Sequence, residues 1–332
     1  MNDALAFSAN AVFPIVLLTA FGFVLKKAGL LTAEFLDVGN RLTFRVFLPV
    51  MLFCNVYRIG RLTDINIAFI VYAIAAVLVI FLLAVMVCCA FTKDGAKRGS
   101  LIQAIFRSNY AIIGIPLAES LFGEKGAGAA GVMSAFCVPL FNILGVVTLT
   151  LFNGDAGRKK ADIKKILTGI AKNPLIIGTV SGLCTLGLRE LFTLARIGFR
   201  LSDVTFFYKA LGNVSSLCTP FALIVLGGRF EFSAVPKLIR DIAFGTAARN
   251  VVVPFIGIGA AYLMRDILGI SGEHFASLVG VFATPAAVAS AIMAKEMGAD
   301  GELAGQLVVW TTLAGTVTVF VCVTVLRALG IF

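Results

Sequence analysis

The sequence contains few charged residues and almost no histidine. Charged residues make up 14% of the 332 residues, and the chain has one histidine, His274, and one tryptophan. Soluble globular domains carry about 25% charged residues, so this composition excludes an ordinary soluble protein. The H-E-x-x-H and C-x-x-C spacings are also absent, which, with one histidine, excludes the usual zinc sites. We therefore expect no metal, no cofactor and no catalytic residues, and the protein is not predicted to be an enzyme.

Basic residues outnumber acidic ones, 28 to 18, which gives a formal net charge of +10. The basic residues lie at the ends of apolar segments and form no patch interleaved with aromatic residues, which argues against a nucleic-acid partner. They are more frequent in alternate loops, so the positive-inside rule places both termini outside. The seven cysteines lie singly or as a neighbouring pair within apolar runs, as small packing residues do.

Hydrophobic residues dominate the chain, at 59% of the total, and the mean hydropathy is +0.99. A helix that spans a bilayer needs about 20 mostly apolar residues. Ten such runs occur, near residues 8–28, 40–57, 67–91, 99–122, 127–152, 167–188, 205–228, 238–264, 274–297 and 303–329. This pattern predicts an all-α membrane protein with ten transmembrane helices in a lipid bilayer.

The most polar connection lies near the middle of the chain, at residues 154–172. It separates a first half, 1–153, from a second half, 173–332, each with five predicted helices. Because five is odd, homologous halves would enter the membrane in opposite orientations, as in inverted-repeat transporters. An offset of 177 residues aligns Ser108 with Pro285, which supports two related halves. Chance similarity between apolar segments is the alternative.

Two of the predicted helices contain residues that interrupt a helix. In the fourth, Pro116 lacks an amide donor and Gly114 weakens the same turn, so we expect a break or kink there. In the ninth, Pro285 has the same effect. Interruptions at corresponding places in two halves point to the binding site of a transporter. Prolines that merely kink membrane helices are the alternative.

Two arginines lie deep within apolar runs. Arg107 follows Arg98 by nine residues, and Arg249 follows Arg240 by nine, which places each roughly 14 Å from the nearest basic end of its run. That is about halfway through a hydrocarbon core of roughly 30 Å, where charged residues are functional candidates. Each guanidinium either faces an anionic substrate or pairs with backbone carbonyls.

Polar neighbours extend this candidate substrate site. Asn109 lies two residues beyond Arg107, and on an unbroken helix their side chains would point about 200° apart. Both can therefore face one cavity only if the backbone unwinds between them. No acidic residue lies at this depth, so the cavity is predicted to prefer an anion. Tyr110 and Thr284 either hydrogen-bond the substrate or serve packing and capping.

The motifs resemble those of the auxin efflux carrier family, over nearly the whole chain. The matching residues are Pro14, Asn40, Arg41, Pro49, Asn109, Gly114 to Leu117, Arg249, Pro254, Pro285 and Ala294 to Glu296. The resemblance implies an NhaA-like fold, with inverted five-helix repeats and broken crossover helices four and nine. It implies a homodimer in the bacterial inner membrane, with helices 1, 2, 6 and 7 as scaffold and helices 3–5 and 8–10 as transport domain.

Asn109 matches the crossover asparagine of that family, and Pro285 matches its second crossover proline. Ser108 stands where the plant relatives have proline, so the first crossover depends more on Gly114 and Pro116. We predict a secondary transporter for a small organic anion, such as malonate. The alternatives are a sodium-coupled symporter of a larger amphipathic anion, a channel or a membrane sensor. The coupling ion, proton or sodium, stays open.

Overall fold

The chain folds as a set of packed helices. The computed structural model describes residues 14, 17–58, 66–152, 168 and 171–332. These residues contain no β-strand, only one isolated bridge between Ser108 and Ala286. The predicted all-α class therefore agrees with the described part of the chain. Most of the predicted linker at 154–172 lies outside the described residues.

Fourteen helices are labelled here in chain order. They are α1 (17–27), α2 (Ala33–Leu42), α3 (Leu48–Tyr57), α4 (Ile67–Phe91), α5 (Gly95–Phe106), α6 (Ile115–Phe152), α7 (Pro174–Leu194), α8 (Thr205–Gly228), α9 (Val235–Ala247), α10 (Val253–Leu263), α11 (Arg265–Leu268), α12 (Gly272–Phe282), α13 (Val288–Glu296) and α14 (Gly301–Ala328). Three π-helical turns, Thr43–Phe47, Tyr110–Gly114 and Ala248–Val252, precede α3, α6 and α10. Helix α6 bends at Gly123, where φ is 58° and ψ is −140°.

Six helical stretches in the described residues are long and apolar enough to cross a membrane. They are Ile67–Phe91, Lys125–Phe152, Pro174–Leu194, Thr205–Gly228, Val235–Leu263 and Gly301–Ala328. They correspond to six of the ten predicted spans. The fourth and ninth predicted spans are each divided by a non-helical segment, the second consists of short helices joined by the π-turn Thr43–Phe47, and the first is only partly described. The ten-span inverted repeat stays a prediction.

Short polar side chains begin several of these helices. Asn66, Asp94, Asn173 and Asp300 each accept a hydrogen bond from a backbone N–H in the first turn of the helix that follows. Such caps satisfy donors that have no partner within the helix. Asn173 followed by Pro174 therefore starts α7 at residue 174, rather than near 167 as the hydropathy predicted. A proline at the first helical position is a start signal that the apolar count ignored.

Helices α3 and α7 pack closely through glycine. A Cβ atom added at Gly182 would lie 2.9 Å from Cβ of Val56, and one at Gly178 would contact the backbone of Pro49. Small residues at membrane helix contacts let two backbones approach each other. The α3–α7 pair also contacts α8, and these helices form one wall of the cavity described below.

A second glycine contact joins the fourth and ninth predicted spans. A Cβ added at Gly280 of α12 would lie 2.8 Å from the Cα of Gly114 and 2.9 Å from the ring of Tyr110. The sequence assigned Gly114 to a helix break, but its structural role is this contact, because no larger residue fits between the two backbones. The two interrupted spans are therefore in direct backbone contact.

We predict that Gly280→Ala lowers the free energy of unfolding by about 1–3 kcal/mol, because the added methyl group must displace the Gly114 backbone. The measurement is the apparent melting temperature of the purified protein in detergent. Gly128→Ala is the matched control, because a Cβ at Gly128 meets no atom within 4 Å. Equal melting temperatures for the two variants would contradict the packing argument.

Candidate functional site at the crossing of the interrupted spans

The two interrupted spans cross and bind each other through their backbones. Helix α5 ends at Phe106 and α12 ends at Phe282. Beyond them, the N–H of Asn109 donates to the carbonyl of Pro285 at 2.8 Å, and the N–H of Ala287 donates to that of Arg107 at 3.1 Å. Backbone groups need internal partners in hydrocarbon, and each interruption supplies partners for the other.

The unwound backbone brings Arg107 and Asn109 to the same cavity. Arg107 has extended dihedral angles of φ −94° and ψ 107°, and Asn109 has φ −82° and ψ 47°. Both residues line a cavity of about 50 Å³ and are only 4% exposed. The two residues line one cavity here because the backbone between α5 and the π-turn is not helical.

Two helix N-termini open onto this cavity. Tyr110 and Ala111, which begin the π-turn before α6, and Val288 and Ala289, which begin α13, line it. Neither N-terminus has a side-chain cap. The N-terminal turn of a helix carries partial positive charge and free N–H donors, and so attracts anions. This end of the cavity is therefore electropositive before any side chain is considered.

Arg107 adds a full positive charge whose partners are all neutral. Its guanidinium donates to Oε1 of Gln103 at 3.2 Å, to Sδ of Met293 at 3.0 Å and to Oδ1 of Asn142 at 2.6 Å. Gly145 leaves room for this group, because a Cβ there would lie 3.2 Å from Nη1. No carboxylate forms an ion pair with Arg107 within the described residues.

Unpaired polar atoms lie next to this charge. The amide nitrogen of Asn109 and the hydroxyl of Ser108 are buried and have no hydrogen-bond partner among the described residues. A buried donor without a partner costs about 1–3 kcal/mol. The two residues are adjacent in the chain and both line the cavity. They are therefore available to a polar ligand.

The facing wall of the cavity is apolar. Helices α3, α7 and α8 contribute Leu48, Met51, Leu52, Leu175, Cys218 and Ala222, with Thr219 as the polar exception. A ligand in the cavity would therefore meet donors and positive charge on one side and hydrocarbon on the other.

Arg249 lies in the crossing but does not line the cavity. Its Nε and Nη2 donate to the carbonyl of Thr284 at 2.8 and 2.6 Å, Nη1 donates to that of Ile105 at 3.0 Å, and Nη2 donates to that of Val281 at 3.0 Å. The sequence assigned Arg249 to substrate binding and kept carbonyl pairing as the alternative. The geometry corresponds to that alternative, because all three nitrogens of the guanidinium are engaged with the backbone.

Tyr110 and Thr284 also use their hydroxyls for the fold. The hydroxyl of Tyr110 is 3.0 Å from the carbonyl of Ala130 and 2.7 Å from Oγ of Ser277. That of Thr284 donates to the carbonyl of Gly280 at 2.6 Å. Neither hydroxyl is free for a ligand in this conformation, so the substrate contacts predicted for them are replaced by packing and capping.

The break residues predicted in the fourth span divide into two groups. Ser108 lies in the non-helical segment, as Pro285 does in the ninth span. Pro116 is instead the second residue of α6, directly after the π-turn. The π-turn and α6 form one helical stretch from Tyr110 to Gly123, so the missing N–H of Pro116 lies next to the irregular π-turn and not in the non-helical segment. The interruption lies seven to nine residues before Pro116.

Three side chains that hold Arg107 were missed in the sequence. Gln103 precedes Arg107 by one helical turn, so its spacing could have identified it. Asn142 was visible only as a polar residue within the fifth apolar run, and Met293 gave no signal. A fourth missed residue, Ser277, binds the hydroxyl of Tyr110. Asn142 is fully buried, and buried polar residues in membrane helices commonly serve function.

A second, larger cavity lies beside the first. Its volume is about 400 Å³, and it is lined by Arg229, Lys295 and the exposed residues Glu231 and Glu302, among others. Ile292 lines both cavities. The two cavities are therefore neighbours that share the side chain of Ile292 as part of their lining.

Comparisons with known proteins agree over almost the full length of the chain. The sequence model of a family described as membrane transport protein matches residues 7–323. An uncharacterized transporter of Methanothermobacter thermautotrophicus is 22% identical over 313 residues, which cover 94% of this chain and 96% of that protein. An uncharacterized transporter of Methanocaldococcus jannaschii is 24% identical over 319 residues, covering 91% and 94%. The chain belongs to the membrane transport protein family, that of the auxin efflux carriers.

Proposed function

We propose that this protein is a secondary transporter that moves a small organic anion, a mono- or dicarboxylate such as malonate, across the membrane by alternating access. The observation that carries the proposal is the buried Arg107, which has only neutral partners and lies beside two uncapped helix N-termini. The substrate carboxylate would accept from Asn109 and from N–H groups in the first turns of these helices.

The charge balance of the site supports an anion. An isolated charge in a low-dielectric interior costs several kcal/mol even after relaxation. Neutral acceptors on Gln103, Asn142 and Met293 satisfy hydrogen bonds of Arg107 but do not cancel its charge. A carboxylate in the cavity would cancel it, and the unpaired amide of Asn109 would gain a partner. Both changes favour the bound state of an anion over that of a neutral or cationic ligand.

The proposal includes the inverted-repeat architecture. Residues 1–153 and 173–332 would form the two halves, joined by the linker at 154–172. A two-fold axis in the membrane plane would pair equivalent segments antiparallel. The antiparallel bridge joins Ser108 to Ala286, one residue from the Pro285 that the 177-residue offset aligns with Ser108. The position of the bridge supports this relationship between the halves.

The location of the cavity supports a moving transport domain. One wall comes from α3, α7 and α8, in the predicted scaffold spans 2, 6 and 7, and the other from the crossing of spans 4 and 9. A displacement of the second group against the first would expose the site to one side of the membrane and then the other. The 400 Å³ cavity beyond Ile292 is then the access route from the cytoplasmic side, where the positive-inside rule places the basic loops. A homodimer in a bacterial inner membrane, with both termini outside, completes the proposal.

The size of the site favours a small anion over a larger amphipathic one. Arg107 and Asn109 are almost completely enclosed in the small cavity that they line. A bulky symporter substrate needs a larger cavity, and a channel needs a continuous aqueous path. We therefore prefer a carrier with an occluded site. Conductance measurements on planar bilayers would separate a channel from this carrier.

We expect Asn109→Ala to weaken anion binding by roughly 10- to 100-fold, because a hydrogen bond to a charged group contributes about 1.5–3 kcal/mol. The variant should keep nearly the wild-type stability, since the lost amide nitrogen has no protein partner. Binding is measured as the rise in melting temperature with a panel of two- to six-carbon carboxylates. Uptake of the best radiolabelled ligand into proteoliposomes is measured in parallel. Asn213→Ala, an exposed position on α8, is the control.

Asn142→Asp places a carboxylate of the same shape against Arg107. We expect this variant to be at least as stable as the wild type but to bind the carboxylate ligand roughly 10-fold more weakly or worse, because the new charge competes with the ligand. Asn213→Asp controls for the added charge on the surface. Undiminished uptake by both Asn109→Ala and Asn142→Asp would mean that the anion binds elsewhere.

A further inference from the structure

The carbonyls that bind Arg249 are those that the two interruptions release. In a helix, each carbonyl accepts from the N–H four residues later. The carbonyl of Ile105 would accept from Asn109, but that N–H donates to Pro285. The carbonyl of Val281 would accept from residue 285, which is proline and has no N–H. Both helices therefore end on carbonyls without helical partners, and Arg249 supplies their donors.

These carbonyls also carry the negative ends of two helices. Ile105 is in the last turn of α5, and Val281 is in the last turn of α12, with Thr284 just beyond it. A helix C-terminus carries partial negative charge, and a cation close to it is stabilised. Two such ends converge on one guanidinium that is 1% exposed. The crossing therefore contains a cation site built from backbone oxygen atoms.

In transporters with broken helices, unwound carbonyls and half-helix C-termini coordinate the sodium ion or proton that drives transport. Here the same kind of oxygen cluster holds a side chain from the π-turn between α9 and α10. We infer that the guanidinium of Arg249 occupies the position that a coupling ion takes in those transporters. Because it is covalently attached to the protein, it cannot leave during the transport cycle. The crossing then needs no sodium ion for its stability or its function.

The consequence for transport rests on the proposed function. A carrier that releases its cation with the substrate draws energy from the gradient of that cation. A tethered guanidinium stays with the protein, so sodium does not cross with the anion at this site. Anion flux should then follow the anion gradient and the membrane potential and be indifferent to sodium.

The first test measures the thermal stability of the purified protein in sodium chloride and in choline chloride of equal ionic strength. The wild type should melt at the same temperature in both. In choline chloride, the melting temperature of Arg249→Ala should be roughly 5 °C below that of the wild type, because the released carbonyls lose their donors. Methylguanidinium, or sodium, should restore part of this loss, since each is a cation that can enter the emptied oxygen cluster.

Arg240→Ala is the matched control. Arg240 lies in α9, which leads into the π-turn that carries Arg249. Its guanidinium is exposed and lies 4.5 Å from the centre of the Phe91 ring. The melting temperature of this variant should not respond to methylguanidinium or to the exchange of sodium for choline. If Arg249→Ala does not fold, Arg249→Lys retains one cation and should give folded protein, still without a sodium response.

The second test measures uptake of the best-bound radiolabelled carboxylate into proteoliposomes, with the potential set by potassium and valinomycin. Replacing sodium by choline should leave the wild-type rate unchanged. A sodium requirement for uptake, a wild type stabilised by sodium over choline, or an Arg249→Ala variant that neither loses stability nor responds to added cations would each overturn the inference. If no carboxylate binds the wild type while the cation rescue succeeds, the proposed function fails and the inference about the cation site stands.

Discussion

The structure depends on the requirement that every backbone polar group within the hydrocarbon has a partner. An uninterrupted helix meets this requirement by itself, but an interrupted one releases N–H and C=O groups that no water can reach. Here two interrupted spans meet at their breaks, and each supplies acceptors and donors to the other through Asn109, Pro285 and Ala287. The carbonyls of Ile105, Val281 and Thr284 accept from Arg249. The N–H of Ala286 donates to the hydroxyl of Thr311. Neither break is stable without the other.

This arrangement separates charge across the crossing. The C-terminal ends of α5 and α12 point at Arg249, while the N-terminal ends of the following segments face the small cavity with Arg107. The two arginines therefore differ in their contacts although both are almost fully buried. One neutralises the negative helix ends and is saturated with hydrogen bonds. The other adds to the positive helix ends and has no ion-pair partner among the described residues, which is the basis of the proposed preference for an anion.

Much of the site could be anticipated from local sequence. The deep positions of Arg107 and Arg249, the missing donor at Pro285 and the need to unwind the chain between Arg107 and Asn109 all follow from helix geometry. The non-helical segment lies seven to nine residues before Pro116, and the proline itself follows a π-turn within one helical stretch. The ligand contacts predicted for Tyr110 and Thr284 could not be judged locally, since the partner of the Tyr110 hydroxyl, Ser277, is 167 residues away.

The sequence alone predicted which segments are apolar enough to enter the membrane, which two of them contain interrupting residues and that two arginines lie deep within apolar runs, because hydropathy, proline geometry and helical rise act over a few residues. The tertiary structure decided what each arginine does. Arg107 meets Asn142 and Met293, and Arg249 meets Ile105, across separations of 35, 186 and 144 residues. No local rule specifies such pairs, since they follow from how the helices pack. The fold therefore decides that the hydrogen bonds of Arg249 are all made to the backbone and that Arg107 has no ion-pair partner among the described residues.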